Sequence, residues 1–222
     1  MQTAREIPIF PLGTTLLPGM PAMLRVFEER YLVMLTDVLA SDDPEFGIVL
    51  IERGAEVGGG DRRFTVGTIA TVTQLLEGDG FVGLVAQGGD RFEVDSWEED
   101  DPYPRALVRD LPDLVWEEEL TERFESTERA VRRVMARSSE FIEPQWSADT
   151  ELADDPVTAA WQLAGIAPME EMDRFALLQA ESLDDLLQQT ARLSEESIET
   201  LALRSGGDDF GGEWDDPRDT PS

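Results

Sequence analysis

Carboxylates dominate the chemistry open to this chain. Its 222 residues hold 48 Asp and Glu against 18 basic residues, all of them Arg, for a formal charge of −30. There is no His, no Cys, no Lys and no Asn. Without His there is no Ser-His-Asp triad and no imidazole metal ligand. Without Cys there is no thiolate nucleophile, no disulfide framework and no Cys-type zinc site. Without Lys there is no phosphate-loop lysine, Schiff base or Ser-Lys dyad. Acids do stand together, in Glu98-Glu99-Asp100-Asp101 and Glu117-Glu118-Glu119. General acid–base work needs two carboxylates with separated pKa values in a cleft, whereas runs of adjacent acids form a solvated face. No D-x-D-x-D-G calcium loop is present, so neither a metal nor a cofactor is expected.

One glycine pattern imitates a nucleotide site. Gly78-Asp79-Gly80-Phe81-Val82-Gly83 has the spacing G-x-G-x-x-G. That motif cradles a pyrophosphate only where a helix begins inside it. Here Phe81 to Ala86 reads as a strand, so the pattern predicts a hairpin turn. The charge also bears on partners. A chain this acidic repels phosphate backbones, and its only Arg doublets, Arg62-Arg63 and Arg132-Arg133, are diluted by acids, so no nucleic-acid partner is expected. Anionic membrane surfaces are disfavoured likewise, and no apolar run is long enough to span a bilayer. The opening Met1 to Glu6 lacks the pattern of a signal peptide, which predicts a cytoplasmic protein. A GC-rich genome accounts for the absence of Lys and Asn; a salt-rich cytoplasm and protection from lysine-directed tagging are the alternatives.

The elements that position these residues change character near Trp116. Residues 1–115 carry −12 and read as short strands and turns, with six or seven strands and one helix over Glu28 to Ala40. Pro8 marks Ile7 to Phe10 as an edge strand, because proline donates no ladder bond. Gly88-Gly89-Asp90 reads as a turn between strands Phe81 to Ala86 and Arg91 to Trp97. Such a set predicts a small closed or nearly closed β-barrel. Residues 116–205 carry an apolar stripe at helical spacing and predict a three- or four-helix bundle. Its helices run from Trp116 to Phe141, from an Asp155 cap to a stop at Gly165, from Pro168 to Leu178, and onward from a capping box at Ser182 and Asp185. Residues 206–222 read as a disordered acidic tail, in which Phe210 and Trp214 are either incidental or a docking motif. The fold class is therefore α+β, with the chain divided at 1–115, 116–205 and 206–222.

Several motifs resemble one family. Ile7-Pro8-Ile9-Phe10-Pro11-Leu12-Gly13, then Leu17-Pro18-Gly19, then Leu24 to Met34, are similar to the opening of the Lon protease N-terminal, or substrate-binding, domain. Phe46 to Ile51 with Gly54 and Glu56-Val57-Gly58, Val66 to Ala70, and Gly88-Gly89-Asp90-Arg91-Phe92 follow in the same order. The resemblance spans residues 7–203. It implies a PUA-like β-barrel followed by a helical bundle, and recognition of unfolded or partly folded polypeptides. In full Lon proteases an ATPase module and a Ser-Lys peptidase follow. Lacking Lys, this chain holds neither active centre, so a stand-alone, non-catalytic member is expected, serving a protease or chaperone as an adaptor. A protein devoted to one folded partner is the alternative, and an enzyme using carboxylates at the barrel mouth is a third.

The residues expected to bind are Leu17, Met20, Met23, Phe27 and Tyr31. Met suits surfaces that accept varied partners, and Met20 and Met23 lie beside the Pro18-Gly19 turn. The 12–23 loop, with the groove between barrel and bundle, is expected to hold an extended apolar segment. Phe10, Leu12, Leu24, Phe27 and Tyr31 also read as core, and Gly67 and Gly88 as positions set by backbone geometry.

Overall fold

The computed structural model describes residues 4–52, 62–78, 80–139 and 145–207. The Gly58-Gly59-Gly60-Asp61 loop, Phe141, and the acidic stretch with Phe210 and Trp214 lie outside them. Among the described residues the fold is mixed α+β, with one six-stranded sheet and five α-helices. The strands are β1 (Arg5–Leu12), β2 (Pro21–Val26), β3 (Glu45–Ile51), β4 (Arg63–Gly78), β5 (Phe81–Trp97) and β6 (Arg105–Asp110). Helix α1 (Glu29–Leu39) lies between β2 and β3. Helices α2 (Thr121–Ser138), α3 (Pro156–Ile166), α4 (Glu171–Leu178) and α5 (Leu183–Gly207) follow the sheet.

Strand order is β2-β5-β4-β3-β1-β6, and β6 also pairs with β5. Five strands thus form a closed circuit of pairings, and β2 is attached outside it through β5 alone. Alternation along the strands sends one set of side chains into the circuit and the other toward the helices. Inside lie Ile7, Ile9, Val49, Ile69, Phe92, Val94, Ala106 and Val108, drawn from all five strands. Phe92 fits there because two neighbours lack a side chain. A Cβ on Gly67 would stand 2.5 Å from the Phe92 ring and 2.4 Å from the Ile48 carbonyl oxygen, and one on Gly47 would stand 2.7 Å from that ring. Phe10, Phe46, Ile48, Leu50 and Leu84 face the other way and join one continuous apolar cluster with Tyr31 and Met34 of α1, Val131 and Met135 of α2, Trp161 of α3, Leu177 of α4 and Leu186 of α5. Strands and helices therefore share a core across residue 115.

The structure corrects several expectations. β1 is no edge strand: Arg5 to Pro8 pair antiparallel with β6, and Ile9 to Leu12 pair parallel with β3. Ile9, where the partners change, still donates its N–H to the Pro104 carbonyl at 2.8 Å, and this switch of partner is how the chain accommodates two prolines. Gly88-Gly89-Asp90 is not a turn; β5 runs unbroken through it, while a register shift falls opposite, between Thr68 and Ala70 of β4. Gly88 is needed for closeness, since its Cβ would stand 2.4 Å from the Leu17 carbonyl. Gly165 does not stop α3 but lies buried within it, and the helix ends at Ile166 with Ala167 as its cap. Phe27 lies outside the core at 69 % exposure. Other readings coincide with the observed elements. β4 ends at Gly78 and β5 begins at Phe81, with Gly80 at φ +78°, so the G-x-G-x-x-G pattern is a hairpin. The Asp155 carboxylate accepts the Thr158 N–H at 2.8 Å, capping α3 with Pro156 at its start. The Thr158 hydroxyl, which donates to the same carboxylate at 2.7 Å, and then that N–H hold Asp155 below its ordinary pKa. Ser182 Oγ accepts the Asp185 N–H at 3.1 Å.

Candidate functional site: a cleft beside the 12–24 segment

Residues 13–20 connect β1 to β2 and are fixed at several points. Thr68 Oγ1, fully buried, donates to the Leu16 carbonyl at 2.6 Å. Gly19 N–H donates to the Gly88 carbonyl and Gly88 N–H to the Met20 carbonyl, both at 2.9 Å. Gly19 has φ +73°, a left-handed conformation that glycine adopts without strain. Gln162 of α3 donates to the Gly19 carbonyl at 3.3 Å, and Thr15 N–H donates to the Glu171 carboxylate at 2.7 Å. The loop is thus held by β4, β5, α3 and α4 together.

A cleft of about 290 Å³ opens between this segment and the helices. Leu12, Thr15, Met20, Met23 and Leu24 line one side; Trp146, Gly165, Glu171 and Arg174 line the other. Arg174 is occupied internally: it donates to the Gly165 carbonyl at 2.7 Å and the Ala167 carbonyl at 2.9 Å, satisfying the C-terminal end of α3. Burial lowers its pKa, opposed by Glu171 and Asp173, and a guanidinium keeps its charge regardless. The cleft therefore presents mixed walls, in which Leu12, Met20, Met23, Leu24 and Trp146 stand beside polar groups, and its charged groups already have partners. Among the described residues that line it there is no nucleophile–base pair. Among the described residues, no group of three His, Cys, Asp or Glu side chains comes together to hold a metal ion. No helix of those residues is long and apolar enough to cross a membrane.

The cleft gathers Leu17, Met20 and Met23, but not Phe27 or Tyr31. Leu17, Met20 and Tyr31 are buried. Met20 is 8 % exposed and lies on Gly165, where a Cβ would stand 2.5 Å from its sulfur. Tyr31 stacks on Phe10 with ring centroids 4.3 Å apart. Met23 is 82 % exposed at the rim. Sequence reasoning missed Trp146, Glu171 and Arg174, which lie far along the chain and carry no local motif.

A second polar feature joins sheet to helices. Arg91 of β5 is buried and donates to the Leu178 carbonyl at 3.0 Å, the Ala180 carbonyl at 2.7 Å and the Pro112 carbonyl at 2.7 Å. Its guanidinium lies 5.3 Å from the Trp161 ring centroid. Desolvation lowers its pKa, opposed by Asp113.

Comparison with known proteins places this geometry. The family model of the ATP-dependent protease La (LON) substrate-binding domain matches residues 6–194. Lon protease of Escherichia coli K12 is 23% identical over 200 residues, covering 89% of this chain and 26% of the relative. Lon protease of Anaeromyxobacter dehalogenans is 32% identical over 110 residues, covering 48% of this chain and 13% of the relative. The chain thus spans about a quarter of the length of the first of these relatives, and less of the second. The crystal structure of a Lon N-terminal domain protein from Xanthomonas campestris superposes with TM-score 0.59 at 25% identity, covering 83% of this chain and 96% of that one. The N-terminal domain of Mycobacterium avium complex Lon protease shares the fold, with TM-score 0.63 at 15% identity, covering 86% of this chain and 99% of that one. The closed circuit of strands, the helices that follow and the matched residues agree: this chain belongs to the Lon substrate-binding domain family.

Proposed function

We propose that this chain is a polypeptide-recognition module of protein quality control, that it performs no catalysis, and that it presents unfolded or partly folded clients to a protease or chaperone in the cytoplasm. The reading includes a PUA-like barrel over residues 1–115 and a helical bundle over 116–205, supported by the closed pairing of five strands and the packing of α2 along α5. The observation that carries it is the cleft beside the 12–24 segment. Its walls combine apolar side chains with polar groups, its loop is fixed before any client arrives, and Met23 stands exposed at its rim. A preformed site loses little ordering entropy on binding, and a flexible thioether adapts to varied side chains.

The test is fluorescence anisotropy of a labelled, permanently unfolded polypeptide titrated with the protein at low and high salt. Saturable binding that persists in salt is expected, weakened about tenfold by Met23→Asp, which puts a charge on an apolar contact surface. Absence of binding overturns the reading.

A further inference from the structure

The cleft and the outlying strand are parts of one device. β2 pairs with β5 on one side, and among the described residues nothing pairs with its other side. The cleft touches Ala22, Met23 and Leu24 in succession. Successive side chains of a strand point to opposite faces. A space that meets all three runs along the strand's edge rather than over one face. No residue of β5 lines it, so the edge is the free one. Unpaired N–H and C=O groups of β2 therefore open onto a cleft of mixed polarity that offers Leu12, Met20 and Trp146 to apolar side chains and whose own charged groups are already bonded.

Exposed edges are ordinarily guarded by charge, proline or a bulge. Here the guards are slight. Pro21 stands at the first position and leaves Ala22 to Val26 available. Arg25 is turned away, its guanidinium 4.1 Å above the Phe81 ring on the face of the sheet. We propose that a client is held as an added β-strand along the free edge of β2, and that the segments chosen are apolar stretches carrying Lys or Arg. This rests on the polypeptide-binding reading above. Main-chain bonds to β2 supply sequence-tolerant affinity, and alternate side chains enter the cleft. Charge decides the occupant. Within the cleft Glu171 and Arg174 offset each other, and Glu28 beyond β2 is paired with Arg30, so the attraction comes from the −30 of the whole chain. A second copy brings another −30 and is repelled, whereas a basic segment is attracted.

The experiment uses a labelled peptide alternating Val and Arg. Two further versions are N-methylated, one on every Val and one on every Arg, and a fourth replaces Arg by Glu. Binding to the whole chain is measured by anisotropy, beside the unfolded polypeptide. The parent peptide should bind saturably. One methylated version should bind at least about tenfold more weakly, because it loses the N–H groups that face β2, and the other should bind nearly as well. The Glu peptide should bind at least about tenfold more weakly at low salt, with the difference narrowing at high salt. Amide exchange at alternate positions between Ala22 and Val26 should slow when the parent peptide is added. Equal affinity of both methylated versions overturns strand addition. Failure of the parent peptide while the unfolded polypeptide still binds also overturns it and leaves the module's reading standing. Failure of both overturns both. Glu and Arg peptides of equal affinity overturn the charge preference. Dimerisation in sedimentation that excludes the parent peptide from the chain shows a second copy on the edge and overturns the client strand.

Discussion

Met20 and Met23 lie three residues apart and meet opposite surroundings. Met20 lies over Gly165 with 8 % exposure, and Met23 stands in solvent at 82 %. Met20→Asp puts a carboxylate into an apolar contact and is expected to cost about 3 kcal/mol or more of stability. Met23→Asp should leave the thermal midpoint within about 2 °C of the parent, as surface changes do. Thermal unfolding of both variants checks this pair, and only the second then reports on binding. Gly67 offers a complementary case. A methyl group there meets a backbone carbonyl at 2.4 Å and the fixed ring of Phe92 at 2.5 Å. Gly67→Ala is expected to destabilise by about 1–3 kcal/mol through overpacking, read by urea denaturation. Gly67 was legible as a constrained position, but the kind of constraint was not. Its conformation is ordinary, and the crowding comes from residues distant in the chain.

Among elements, Arg91 is the tether between β5 and the α4–α5 junction. Three carbonyls depend on it, and an ammonium at that position presents fewer donors in a different geometry. Arg91→Lys is expected to cost about 2–4 kcal/mol, because a charged donor is lost to buried carbonyls, and calorimetry would show it as a lower midpoint. The sequence marked Gly88-Gly89-Asp90-Arg91-Phe92 as a motif, and the structure gives it a physical meaning. Neighbouring residues of one strand serve different cores: Arg91 reaches the helices while Phe92 fills the strand circuit. The motif misled about shape, however, because two glycines and an aspartate form a turn signal unless close approach to the Leu17 carbonyl requires the glycine. Pro8 misled similarly. Propensity assigned it to an edge, and only the long-range topology divides β1 between two partners. Caps and the Gly78–Phe81 hairpin were legible because their partners lie within a few residues. A further test concerns the link between β4 and the β5–β6 connection. Arg63 donates to Asp100 at 3.0 Å and holds that carboxyl below its ordinary value of 3.8. A lowered folded-state pKa means that its stabilisation is complete above that value and fades as pH falls through the lowered one. Asp100→Asn should therefore lower the midpoint at neutral pH, by an amount that shrinks as the pH is taken down below 3.8.

For the whole molecule, charge is the governing quantity. At −30 the folded chain repels itself more than an expanded chain does. Raising sodium chloride from about 0.02 to about 0.5 M shortens the screening length several-fold and is expected to raise the thermal midpoint by several degrees. A midpoint that stays flat or falls with salt would show that the local Arg–carboxylate pairs outweigh the global repulsion. The cleft itself belongs to this scale. Its walls come from residues 12–24, 145–146 and 165–174, and no reading confined to a window of sequence brings those together.

The division of β1 between β3 and β6 also sets a timetable for synthesis. Arg5 meets Val108 in the finished sheet, so the first strand leaves the ribosome about a hundred residues before that half of it can be paired. At roughly 5–20 residues per second the wait lasts about 5–20 s. The Leu178 and Ala180 carbonyls that Arg91 ties down arrive later still. A nascent chain of this protein spends that interval as the kind of substrate its finished form is proposed to hold, with an unpaired apolar strand open to any chaperone near the exit tunnel.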